Sequence, residues 1–328
     1  MRKQDELYSF YKDKEYSYKT CKQERLFLSY PKTFNDKFDG KPLIDEDKFI
    51  FTYCSKKFGL NNAERFFKNN YHNFSYRKKL EFICNYKFEK SECDQNKCDS
   101  IFLDYGIHRL IEEINQIYNA YVNELERICN NFGIACFSSG IPHDNMVLWA
   151  HYAENYKGFC IKYDLLDYVI SDIGTEREDL YQTFLRSHVH EIKYVNKYLF
   201  LDTKKLLNIP VSELSNSQYI KEYIFKILTH KHKQWSYEKE LRLIINKSEL
   251  PKNEILEENK NGFEISFPFF NSVYGFDMTN NSDTCEKIKS IATHTNSFCF
   301  NLGINNKQSC LYDTKTFLIE NYKLQRGL

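Results

Sequence analysis

The stretch from Ile134 to Leu165, IACFSSGIPHDNMVLWAHYAENYKGFCIKYDL, reads as strand, turn, helix, strand. Ile134 to Ser139 is a short apolar run opening into hydroxyls, and Gly140 and Pro142 break it. Asp144 or Asn145 can cap a helix, because a short side-chain acceptor satisfies a backbone N–H left over at a helix start. The helix is expected to run to about Lys157, with Gly158 as its C-terminal stop. Phe159 to Tyr163 then has the β-branched and aromatic content of a strand. Trp149, Tyr152 and Tyr156 fall at i, i+3 and i+7 and share a helix face. His151 lies on an adjacent face with Asp144, Leu148 and Asn155. An aromatic stripe of this kind is ordinarily packing. Tyr and Trp also carry polar handles, and a His beside them can titrate near neutrality, so the Ser-Gly loop and this helix can also frame a pocket.

Working outward, Leu7 to Lys12 and Leu26 to Tyr30 are strand candidates separated by a segment with helical potential to about Glu24. Phe34 to Gly40 (FNDKFDG) has turn chemistry, since Asn and Asp bond their own backbone. It is either an ordered turn or a loop, anchored by Phe34 and Phe38, that delivers Asn35, Asp36 and Asp39 to a binding site. Ile107 to Asn131 has a sustained i, i+3, i+4 apolar pattern, the clearest helix of a helical insertion over 59–131, with 88–103 a polar loop. After the central stretch, His190 to Val195 reads as one strand. A helix from Ser215 or Ser217 is expected to reach Lys233, ending on His230, Lys231, His232 and Lys233, because cations suit a helix C-terminus. Strand candidates follow at 263–267, 272–276, 298–302 and 316–319, with a helix from Asp283 to Thr293. The expectation is one α+β domain over 1–328, with a mainly antiparallel curved sheet, surrounding helices and the insertion.

Trp235 to Ile245, WSYEKELRLII, sets a Glu-x-Glu-x-Arg row beside two aromatic residues. As a strand of period two it sends Leu241, Leu243 and Ile245 one way and Glu238, Glu240 and Arg242 the other. Such a row is a solvated sheet face or a lined cleft, and Trp235 and Tyr237 favour the cleft. Arg242 would lower the pKa of one Glu while like-charge repulsion raises the other, the split that acid–base chemistry uses. Glu240, between Glu238 and Arg242, is the residue expected to carry it.

Composition narrows the classes. The chain has 328 residues, a net charge of +1 and 16% aromatic residues, which argues against a strongly basic nucleic-acid coat. Eleven scattered Cys without a repeating frame, no apolar leader in MRKQDELYSF and no run of membrane-helix length point to reduced thiols, a cytoplasmic location and no membrane. Cys93 and Cys98 have no second pair, so no metal is expected. No P-loop, GxGxxG, HExxH or GxSxG occurs.

Several segments together resemble a bacterial family catalogued as domain of unknown function 2971. They are LYSFYK (7–12), FLSYPKTFNDKFDG (27–40), CFSSG (136–140), MVLWAHYAENYKGFCIKYD (146–164) and KHKQWSYEKELRLI (231–244). The resemblance spans most of the chain, and 59–131 is its least typical part. It departs where the family often carries an Arg in a YKYR-like run, because Tyr11 and Lys12 stand there and Lys lacks a planar fork. The resemblance implies a phage-defence or toxin-like setting but no settled activity. The order Lys12, then Ser138-Ser139, then Glu238-x-Glu240 is also similar to ADP-ribosyltransferases that cleave NAD. That likeness implies NAD as substrate, with a protein or nucleic-acid acceptor. Glu240, Glu238, Ser138 and His151 would be catalytic, and Asn35, Asp36, Asp39, Trp149, Tyr152, Trp235 and Arg242 substrate-binding. The alternatives are a non-catalytic nucleotide or nucleic-acid sensor, and a Mg2+-dependent hydrolase or nuclease using Asp36, Asp39, Glu238 and Glu240.

Overall fold

The apolar run at 134–138 and the segment 240–246, where Glu240 and Arg242 alternate with Leu241 and Leu243, build the middle of a sheet, because period two sends neighbours to opposite faces. The computed structural model describes residues 6–59, 107–140, 145–165, 176–250, 254–276, 282–295, 298–302 and 308–313. The chain divides into two compact units, Met1–Asn35 with Asn131–Asn196 and Thr229–Leu328, and Asp36–Asn130 with Lys197–Leu228. The structure is α+β, with a curved, mainly antiparallel sheet and surrounding helices.

The first unit holds the sheet. In chain order its elements begin β1 (Glu6–Tyr11), α1 (Glu15–Lys22) and β2 (Arg25–Ser29). After the second unit's α2 (Glu46–Phe58) and α3 (Ile107–Cys129) come β3 (Phe132–Ser138), α4 (Met146–Tyr152), β4 (Phe159–Asp164) and α5 (Glu176–Ser187). Then follow β5 (Val189–Glu191) and β6 (Lys193–Val195), and, past the second unit's α6 (Thr203–Leu206) and α7 (Gln218–Thr229), β7 (His230–His232) and β8 (Glu240–Asn246). The chain continues through β9 (Ile255–Asn259), β10 (Gly262–Ser266), β11 (Phe270–Phe276), α8 (Ser282–His294), β12 (Phe298–Leu302) and β13 (Gln308–Asp313).

The strand order is β13-β12-β11-β4-β1-β3-β2-β10-β9, with β8 paired to β3 and β5. β11 and β12 run parallel; the other pairs of this sheet are antiparallel. One face buries Leu7, Ala135, Phe137, Ile161, Tyr163, Leu241, Leu243 and Ile245 in the main core. On the opposite face Tyr8, Trp149, Ala153, Cys160 and Tyr274 form a smaller cluster. The fully enclosed Trp149 meets Phe10 edge-on at 5.3 Å there.

The central stretch folds as strand, helix, strand, but the helix is shorter than its periodicity predicts. α4 is capped by Asn145, whose side chain accepts from the Leu148 N–H at 3.4 Å, and it ends at Tyr152. Asp144, the other expected cap, lies outside the described residues. Glu154, Asn155 and Tyr156 then take φ of 51°, 52° and 70°, a left-handed run that side chains normally disfavour. The run curls back on the helix, with the Tyr156 N–H donating to the Trp149 carbonyl at 3.3 Å and the Gly158 N–H to that of Ala153 at 2.9 Å. Gly158 is therefore not a helix stop. A Cβ there would lie 1.9 Å from the Tyr11 carbonyl oxygen, so glycine lets β4 approach β1.

Three other expectations are corrected. Residues 190–195 form two strands, because Ile192 is buried between them and its N–H donates to the Glu240 carbonyl at 3.1 Å. The helix expected to reach Lys233 stops at Thr229, and His230–His232 pairs in parallel with β6 as a strand. Trp235–Ile245 is not one strand: Lys233–Glu238 is a 3-10 helix and β8 starts at Glu240.

In the second unit α2 starts at Asp45, whose side chain accepts from the Lys48 N–H at 3.1 Å. Ile50 and Cys54 pack with Leu110 and Ile114 of α3. The apolar face of α7 is buried as its spacing predicts, through Ile220, Tyr223, Ile224, Ile227 and Leu228. The Tyr223 hydroxyl takes the Leu43 N–H and donates to the Leu199 carbonyl, both at 2.9 Å. The expected loop at 88–103 and strand at 316–319 lie outside the described residues. Among the described residues no helix is long and apolar enough to cross a membrane.

Candidate functional site

The charged groups gather on the smaller-cluster face of the first unit's sheet. Pairing of β3 with β8 sets Cys136 opposite Arg242 and Ser138 opposite Glu240, and β5 sets His190 opposite Arg242. Directly opposed residues share a face, so Cys136, Ser138, Glu240 and Arg242 line one side. Glu238 reaches the same place differently, since it ends the 3-10 helix rather than sitting on β8. Lys239 joins it to β8 in the left-handed region, with φ 46° and ψ 51°. Hydrogen bonds hold this turn. The Ser138 hydroxyl donates to the Glu238 carbonyl at 2.7 Å and accepts from the Gly140 N–H at 3.1 Å. The Ser139 N–H and hydroxyl both donate to the Lys239 carbonyl, at 3.0 and 3.1 Å. The Asn145 amide donates to the Tyr237 carbonyl at 3.1 Å, tying the start of α4 to the 3-10 helix.

Four charges are buried together. Glu238, Glu240, Arg242 and Lys231 have 4%, 3%, 0% and 8% of their surface exposed. The Lys231 ammonium donates to Glu238 Oε2 at 2.6 Å and to Glu240 Oε2 at 2.9 Å, bridging the two carboxylates. Arg242 donates through Nε to Glu240 Oε1 at 2.6 Å and through Nη2 to Oε2 at 3.3 Å. The Tyr152 hydroxyl donates to Glu238 Oε1 at 2.7 Å. The Tyr194 hydroxyl accepts the Glu240 N–H at 2.8 Å. Burial alone would raise the Glu240 pKa, but Arg242 and Lys231 overcome it and hold the carboxyl down at about 2. Glu238 moves the other way: burial raises it, and Lys231 and Tyr152 only partly oppose that. Burial, then Glu238, push the Tyr152 phenol up, and burial lifts Tyr194 to about 12.

Residues 148–243 match the family model described as Protein of unknown function (DUF2971). The matched stretch contains Tyr152, Tyr194, Lys231, Glu238, Glu240 and Arg242. No curated protein and no solved structure matches the chain.

Aromatic rings flank the network. Lys231 lies over the half-buried Trp235 at 5.0 Å, and Arg242 over Phe34 at 5.3 Å. Trp235 and Tyr237 are 6.1 Å apart, Tyr237 and the exposed His151 6.5 Å, and His151 and Tyr152 6.3 Å. Trp149, expected to bind substrate, is instead fully enclosed in the smaller cluster and supports α4 from below. Lys12 is exposed just past β1. In the expected loop Asn35 is exposed and closes a segment of the first unit, while Asp36 and Asp39 belong to the second. Asp36 accepts the Phe38 N–H at 2.9 Å as a turn residue does, Asp39 is buried, and Phe38 meets Tyr198 at 4.4 Å with the rings tilted by 36°.

The sequence pattern did not bring Lys231 or Tyr194 to the network, and it gave Asn145 only the capping role. Lys231 carried one usable signal, the alternation of His230-Lys231-His232 directly before the aromatic 3-10 segment.

Proposed function

We propose that the chain is an enzyme of ADP-ribosyltransferase type that cleaves the nicotinamide–ribose bond of NAD, in a phage-defence or toxin-like role. The observation that supports this reading is the carboxylate pair with opposed pKa displacements, Glu240 down and Glu238 up, beside half-buried aromatic rings. The bond between the ribose carbon and the pyridinium nitrogen breaks with its electron pair leaving on nicotinamide. Nicotinamide departs neutral, so no acid is needed. The ribosyl carbon becomes cationic, and a buried, ionised carboxylate stabilises it most where water is excluded. Glu240 takes that role, oriented by Arg242 and Lys231. Water or an acceptor then bonds to the ribosyl carbon, and Glu238 accepts the proton released, as its raised pKa suits a base. Trp235 and Tyr237 offer faces for the planar rings, and Tyr152 fixes Glu238. His151, exposed beside Tyr152, stands at the edge of the same ring cluster. Ser138 acts through the backbone of Glu238.

The test is to incubate purified protein with NAD and measure released nicotinamide. Glu240→Gln is expected to lower the rate by about 100-fold or more, the order seen when one electrostatic stabiliser is removed. Absence of nicotinamide with the wild-type protein rejects the reading.

A second reading, a nucleotide or nucleic-acid sensor without turnover, is favoured by one fact: each carboxylate oxygen of Glu238 and Glu240 already has a protein donor. It requires NAD or a nucleotide to bind calorimetrically with no product. Mg2+-dependent hydrolysis is less favoured, because the Lys231 ammonium already supplies the positive charge between the two glutamates.

A further inference from the structure

Lys231 comes from β7, is buried, and bonds to Glu238 and Glu240 at once. Among the described residues, the charged and titratable groups around it are Glu238 and Tyr237 on the 3-10 helix, Glu240 and Arg242 on β8, Tyr152 on α4, Tyr194 on β6 and Cys136 on β3. Arg242 bonds to Glu240, whereas among the described residues the Glu238 carboxylate is held by Lys231 and the neutral Tyr152 hydroxyl. The two carboxylates therefore depend on Lys231 to different degrees. Glu240 keeps a guanidinium when the ammonium is removed, and Glu238 keeps a phenol. A buried carboxylate without a compensating cation takes up a proton rather than staying ionised.

We infer that Lys231 is a positioning residue that sets the proton inventory of the pair: with it both glutamates are held as anions around one cation, and without it Glu238 becomes a neutral acid while Glu240 stays ionised. The inference deepens the acid–base reading of this site, because a protonated Glu238 cannot accept the proton of an incoming nucleophile. The sign of the stability effect follows. A carboxyl whose folded pKa is raised favours the fold below its unfolded value and loses that contribution as pH rises through the folded value. Removing Lys231 therefore costs more stability at high pH than at low pH.

The experiment is equilibrium urea denaturation of the wild type, Lys231→Met, Lys231→Arg and the double variant Lys231→Met with Glu238→Gln, at several pH values from 5 to 8. Lys231→Met is expected to lose folding equilibrium constant relative to wild type as pH rises, by up to about tenfold per pH unit, the limit for one linked proton. Lys231→Arg is expected to keep the wild-type pH dependence. Adding Glu238→Gln to Lys231→Met is expected to abolish the extra loss. If Lys231→Met does not fold at pH 8, folding at pH 5, or at pH 8 once Glu238→Gln is added, supports the inference. A deficit that is equal at every pH, or one that Glu238→Gln leaves untouched, overturns it. NAD is not a component, so an inactive wild type rejects the proposed reaction and leaves this result standing.

Discussion

At Glu240 burial and charge oppose one another, and the neighbours decide which wins. Its carboxyl is 3% exposed, yet it titrates at about 2 because burial is outweighed by Arg242 and Lys231. A depressed carboxyl contributes stability above its unfolded value of 4.5, and this is lost as pH falls through about 2. Glu240→Gln leaves both cations short of an anion and is expected to cost about 3–5 kcal/mol at pH 7, the usual result of breaking a buried ion pair. The gap between wild type and variant should narrow steadily as pH drops from about 4.5 towards 2, which paired denaturation curves at pH 7 and pH 3 would show. A gap that stays constant removes Glu240 from the acid response. Arg242 calls for a fork rather than a point charge, since two of its nitrogens meet the same carboxylate. Arg242→Lys is expected to lose about 2 kcal/mol, measured by the same denaturation.

At the scale of elements, the turn at Lys239 matters more than its side chain. The side chain is exposed, while the left-handed backbone carries Glu238 and Glu240 to one ammonium. Lys239→Gly is expected to be nearly neutral, and Lys239→Val, whose β-branch resists positive φ, to cost about 2 kcal/mol and to disturb the network. Equal effects of the two would mean that the side chain, not the turn, is what counts. Gly158→Ala should cost about 3 kcal/mol, because the new methyl has to displace the Tyr11 carbonyl of β1. The amphipathic helix at Ile107–Cys129 and the alternation of 241–245 were legible, because each pattern is local and strong. So was the pairing of Glu240 with Arg242 on one face. The position of Lys231 was not legible. The apolar spacing of Ile220 to Leu228 runs straight towards it, and what ends the helix is pairing of Tyr194 with Lys231, residues far apart in the chain. Glu238 was assigned to the right cluster on a wrong premise, since a period-two strand was assumed where a 3-10 turn and a left-handed residue stand. The short α4 and its left-handed run escaped because no sequence period announces three positive-φ residues in succession.

On the scale of the whole molecule, neither unit is a continuous piece of chain. β1 pairs with β4 over six positions and β2 with β10 over five, although more than 100 residues separate each pair in sequence. A fragment beginning at residue 131 lacks both strands and is expected not to fold, by circular dichroism and by its sensitivity to protease. The matched segment 148–243 is likewise expected not to fold on its own. It stops at residue 243, inside β8 (Glu240–Asn246), and lacks β3, which pairs with β8 at seven positions. A folded, protease-resistant product from 148–243 alone would overturn this view.

The chain has two tryptophans, and the fold puts them in opposite circumstances. Trp149 is enclosed, whereas Trp235 is half-buried with the Lys231 ammonium over its ring. The molecule should therefore emit from two distinct places: a shielded indole shifted to the blue and a second one whose light senses an adjacent charge. With Trp149→Phe, the remaining fluorescence comes from beside the carboxylate pair, so its quenching would follow a planar ligand arriving at those rings before any assay of turnover exists.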